Sequence, residues 1–197
     1  KPDFVIVYAG WNDLPYVVSP NPRAERFRVR PVAPAWERIL GHSTLYGFLF
    51  YRIGGGPARM APAGFAVHEP TTDGARQFRE NLSRLADEAD RVQARLVLCA
   101  QATAAHPKAT SELRRSLAPD AASQASAIRL GEWLHATLIE FAATRGLPLL
   151  DAYAEIEPDE TMLRDYVHLT EVGERRLADI WRAGLEANGL GPSETSP

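Results

Sequence analysis

Two short stretches of this sequence combine residue types and spacings suited to acyl transfer. The first is Gly10-Trp11-Asn12-Asp13, directly after the apolar run Asp3 to Ala9. A side-chain amide at the end of a strand can point its N–H at negative charge developing on an acyl oxygen. One such preorganised donor contributes about 3–4 kcal/mol in known enzymes. Read without that chemistry, Asn12 and Asp13 cap a turn. The second stretch is Asp165-Tyr166-Val167-His168-Leu169-Thr170, just ahead of a helical pattern. Three residues apart on a tight loop, an Asp carboxylate can hold one imidazole nitrogen, fix the tautomer and leave the other nitrogen as a base. A helix N-terminus disfavours a charged imidazole, which suits a neutral base. The plainer reading is a surface Asp beside a His that packs on the helix end.

Positioning these residues needs a scaffold, and hydrophobic periodicity supplies one. Asp3 to Ala9 reads as a strand buried on both faces, as in a parallel sheet. Leu96 to Ala100 and Leu147 to Leu150 repeat the pattern. Between them lie helical stretches. Asp73 to Gln93 has Phe78, Leu82, Leu85, Ala89 and Val92 on one face. Pro119 to Arg145 carries Leu130, Leu134, Leu138 and Phe141, and stops at Gly146. Glu171 to Ala187 begins at the N-cap Thr170, with Glu171 and Glu174 in its first turn. Val172, Leu177, Ile180, Trp181 and Leu185 are its core candidates. Strands alternating with helices predict an α/β fold with a parallel sheet. Two segments read as irregular: the Pro-rich stretch Leu14 to Gly74, with one helical run Trp36 to Ile53, and the linker Gln101 to Ala118. Both leave strand carboxyl ends, where open α/β sheets bind ligands.

The two motifs and their order resemble the GDSL/SGNH hydrolase family, over nearly the whole chain. By that resemblance the fold is a flavodoxin-like three-layer α/β/α sandwich around a parallel sheet, and the strands seen here are its third to fifth. The implied roles are His168 as general base, Asp165 as its orienting acid and Asn12 as an oxyanion donor. Gly10 allows close backbone approach and, with Asp13, belongs to the substrate-binding motif. The implied activity is that of an esterase or lipase, with a Ser-His-Asp mechanism and neither metal nor cofactor. The substrate is a small-molecule, lipid or carbohydrate ester. The family's nucleophile, a Ser in a Gly-Asp-Ser motif, and a backbone oxyanion donor stand upstream of Gly-x-Asn-Asp, where this chain has only nine residues and no Ser. The expectation is therefore a partial domain with its first strands missing. By itself it should give no His168-dependent hydrolysis of p-nitrophenyl acetate.

Other features bound the alternatives. The 197 residues are 45% hydrophobic and 24% charged, which fits one domain over 1–189 with a disordered tail over 190–197. A net charge of −3 argues against phosphate-driven nucleic-acid binding. Arg23, Arg26, Arg28 and Arg30 read as a solvated face or an anion contact. No transmembrane run is present in the sequence, and the compartment is not legible. The lone Cys99 reads as a core residue. Ser43, in Gly41-His42-Ser43, lacks the second Gly of a nucleophile elbow and reads as an N-cap. Gly54-Gly55-Gly56 has no following Gly-Lys-Ser/Thr, and His42, His68, His106 and His135 have no metal-ligand spacing. Glu155, Glu157, Asp159 and Glu160 read as a solvated acidic loop rather than a glycosidase pair. Acyl transfer to another alcohol uses the same residues as hydrolysis. A divergent α/β domain that binds a ligand or partner without chemistry is the second reading, and a nucleotide-binding domain the third.

Overall fold

The computed structural model describes residues 2–8, 11, 17–18 and 69–191. Gly10, Asn12, Asp13, Ser43, the arginine cluster, Gly54 to Gly56, the run Trp36 to Ile53 and the tail from Pro192 lie outside the described residues. Residues 1–20 and 67–197 form one compact unit. Among the described residues its elements are β1 (Phe4–Tyr8), α1 (Thr72–Arg91), β2 (Arg95–Ala100), α2 (Ser111–Leu117), α3 (Ala121–Arg145), β3 (Leu149–Asp151), α4 (Ala152–Glu155) and α5 (Glu171–Ala187). The fold is α/β: the three strands form a parallel sheet in the order β1-β2-β3. Tyr8 pairs with Cys99, and Cys99 with Leu150.

β2 is the buried centre. Leu96, Val97, Leu98, Cys99 and Ala100 are all buried, and because side chains alternate along a strand both of its faces are covered. Val97 and Cys99 meet Leu150, Ala152 and Ile180, with Leu177, Trp181 and Leu185 of α5 packed against them. The Trp181 indole N–H donates to Cys99 Sγ at 3.1 Å. Burial pushes the Cys99 thiol up to about 11, so it is a protonated core group at neutral pH. β1 departs from the sequence reading. It is only half-buried, and Val5 is exposed. Phe4, Ile6 and Tyr8 pack on the core that holds Ile180, and Val5 points to the opposite face.

The helices start and stop where local chemistry directs. Thr71 caps α1 by accepting from Gly74 N, Asp120 caps α3 by accepting from Ser123 N, and Thr170 caps α5 by accepting from Gly173 N. Gly146 ends α3 in the left-handed region at φ 63°. Two corrections concern faces. In α1 the inner stripe is Gly74, Phe78, Leu82, Ala86 and Ala89, whereas Leu85 and Val92 are exposed. The small residues let the helix approach closely and turn Leu85 to its margin. In α5, Ile180 is buried but Val172 is exposed, because Gly173 takes the inner position of the first turn. In α3, Leu130, Leu134 and Leu138 are buried. Phe141 is half-buried, with the Arg145 guanidinium 5.8 Å over its ring. A third correction is that the linker 101–118 contains α2, capped by Thr110. Among the described residues no helix is long and apolar enough to cross a membrane.

Gly173 joins this scaffold to the loop before α5. A Cβ there would sit 2.1 Å from the Met162 carbonyl oxygen. Gly173→Ala is expected to destabilise by about 1–3 kcal/mol, the usual cost of overpacking. The exposed Val172→Ala should stay within about 0.5 kcal/mol. Thermal unfolding of both variants checks this, and equal midpoints would refute the close approach.

Candidate functional site

The segment 159–170 folds back on itself. Asp159 Oδ1 accepts from Thr161 N at 2.9 Å and Met162 N at 3.1 Å. Leu163 and Leu169 form an antiparallel bridge, Thr170 N donates to Met162 O at 2.9 Å, and Arg164 N donates to His168 O at 2.7 Å. At the tip, Asp165 Oδ1 accepts from Val167 N and His168 N, each at 2.9 Å. His168 Nδ1 lies 2.8 Å from Asp165 Oδ2 and 3.0 Å from Oδ1. Partial burial pushes the Asp165 carboxyl up. The two backbone N–H groups and the imidazole outweigh it and hold the group below the usual carboxylate range. An ionised carboxylate on Nδ1 favours the tautomer with its proton there and leaves Nε2 with a lone pair. The His168 side chain is 70% exposed, so Nε2 is open to a reacting group.

The turn sits on the carboxyl end of the sheet. The Tyr166 carbonyl accepts from Thr103 Oγ1 at 2.8 Å and Ala104 N at 2.9 Å, both just past β2. The Tyr166 ring lies 5.3 Å from the buried Trp11 ring, tilted at 39°. Trp11 N in turn donates to Gln101 Oε1 at 3.2 Å. The chain leaving β1, the chain leaving β2 and the Asp165–His168 turn therefore meet at one place. Of the first motif, Trp11 is the described residue, and it packs on Tyr166 of the second.

A second His–Asp pair lies nearby and was not visible in the sequence. His135 Nε2 is 2.9 Å from both Asp151 carboxylate oxygens. The His135 ring stacks on Tyr153 at 4.4 Å, and His106 packs on Tyr153 at 4.6 Å. His106 Nδ1 accepts from Lys108 N at 3.0 Å, and burial, then Lys108, holds this imidazole below its ordinary value. His135 and Tyr153 line a cavity of about 10 Å³ with Trp11, Gln101 and Thr103, room for a single water. His135 and Asp151 stand sixteen positions apart on α3 and β3. The only sequence signal was an Asp ending a strand. The pair ties α3 to the β3–α4 junction, where Asp151 also accepts from Ala154 N at 3.1 Å.

The acidic residues expected on one loop go to separate contacts. Glu155 is on α4 and meets Arg176 at 3.4 Å, Asp159 holds its own turn, and Glu160 accepts from Thr110 Oγ1. Among the described residues no three His, Cys, Asp or Glu side chains gather as a metal site. No protein-family model, curated protein or solved structure matches this chain.

The carboxylate pairs make stability depend on pH. Burial pushes Asp151 up, and the His135 ring and the Ala154 N–H outweigh it, so its folded value is lowered. A group lowered in this way stabilises the fold above its unfolded value of about 3.9, and that contribution is lost as pH falls through the folded value. Asp151→Asn is expected to lower the melting temperature at pH 7, with the gap to the unmodified protein closing toward pH 3. A gap that stays constant over that range would contradict the ionised pair.

Proposed function

We propose that this chain belongs to a serine ester hydrolase domain of the GDSL/SGNH kind. In this reading His168 is the general base, Asp165 fixes its tautomer, and Asn12 donates to the oxyanion. Gly10 allows close backbone approach and, with Asp13, belongs to the substrate-binding motif. The nucleophile is a serine outside the described residues. The Asp165–His168 turn carries the reading: its carboxylate–imidazole pair stands at the sheet's carboxyl end, with Tyr166 packed on Trp11. The burial of β2 on both faces supports a three-layer, flavodoxin-like sandwich.

Chemically, the serine hydroxyl attacks the ester carbonyl while His168 Nε2 takes its proton. The carboxylate of Asp165 stabilises the imidazolium that forms. His168 then returns the proton to the leaving alcohol, and a water repeats the sequence to release the acid. Transfer to a second alcohol replaces that water without any change of residue. The second reading is a non-catalytic α/β domain that binds a ligand or partner.

Hydrolysis of p-nitrophenyl acetate by the intact natural protein separates the two. Turnover is expected, and His168→Ala should lower it by about 10³-fold or more. An intact protein without turnover, or turnover that survives the substitution, would replace catalysis with binding.

A further inference from the structure

We propose that Thr103 is a positioning residue for the His168 base: its hydroxyl holds the Tyr166 carbonyl and so sets the direction in which the turn presents Nε2. The proposal rests on the ester-hydrolase reading. The internal hydrogen bonds of the 165–168 turn fix its shape but not its attitude to the sheet. All of Asp165's bonds described above run to Val167 and His168 within that turn. The His168 ring is mostly exposed, so packing does not aim it. Among the described residues, the turn's backbone is tied to the strand ends through the Tyr166 carbonyl, which receives Thr103 Oγ1 at 2.8 Å and Ala104 N at 2.9 Å.

Thr103 is suited to that task. It is buried, and its hydroxyl works in both directions: it donates to Tyr166 O and accepts from Ala105 N at 3.2 Å. Losing it leaves a buried N–H without its acceptor and removes one donor from the carbonyl. The segment it belongs to is itself held fast. Tyr153 Oη donates to Ala105 O at 3.2 Å, and Gly131 of α3 comes so close that a Cβ would lie 2.1 Å from the same oxygen. The turn is thereby referred to a rigid part of the fold, as a base that must sit within a fraction of an ångström of its target requires.

Two variants and two readouts test this. Thr103→Val keeps the shape and removes the hydroxyl; Thr103→Ser keeps the hydroxyl. In the intact protein, Thr103→Val should lower kcat for p-nitrophenyl acetate roughly 10- to 100-fold with KM little changed, and Thr103→Ser should restore most of it. By NMR, the His168 Nδ1 proton should exchange faster with water in Thr103→Val and stay as protected as the original in Thr103→Ser. A Thr103→Val protein with unchanged kcat and exchange would overturn the proposal, as would a Thr103→Ser protein as impaired as Thr103→Val. Thr103→Ala carries the same readouts if Thr103→Val does not fold. Absence of hydrolysis in the unsubstituted protein would refute the hydrolase reading, and the exchange measurement would still decide whether Thr103 holds the turn.

Discussion

One carboxylate organises the region on which the functional reading depends. Asp165 gathers two backbone N–H groups and an imidazole around itself, and those bonds give the 165–168 turn a single shape. An ionised acceptor makes each of them stronger than a neutral one would. The same charge that closes the turn favours one His168 tautomer, so the shape of the turn and the state of its imidazole draw on one interaction. In the ester-hydrolase reading that interaction leaves Nε2 ready to take a proton without reorganisation of the site.

The rest of the fold gives that turn somewhere to stand. β2 supplies a strand buried from Leu96 to Ala100, whose continuation, Gln101 to Ala105, meets both Trp11 and Tyr166. Close packing then depends on small residues. Gly131 seats α3 on Ala105, Gly173 seats α5 on Met162, and Gly184 lies where a Cβ would be 2.2 Å from Leu150. The His135–Asp151 pair, with His135 stacked on Tyr153, braces the same end of the sheet. In the ester-hydrolase reading, that frame aims the exposed imidazole at a substrate approaching from solvent.

Local signals were legible in the sequence, and nonlocal ones were not. The Asp-x-x-His spacing, the Thr170 cap and the Gly146 stop each depend on residues within one turn of each other, and each appears in the structure. Periodicity located the three strands and three long helices, but it misjudged which large residues face inward. Leu85 and Val172 give way to Ala86 and Gly173, since a close helix approach favours small residues that hydrophobicity does not single out. α2 was too short to show a period. The His135–Asp151 pair and the grip of Thr103 on Tyr166 join elements distant in sequence, so only the fold brings them together.

The most direct test of the account is labelling of the intact natural protein with a fluorophosphonate, which reacts with a serine only when a neighbouring base activates it. Peptide mass spectrometry then locates the adduct. The account predicts one labelled serine whose labelling disappears in His168→Ala. A labelled serine indifferent to that substitution, or no labelled serine at all, would contradict His168 as the base of a serine hydrolase.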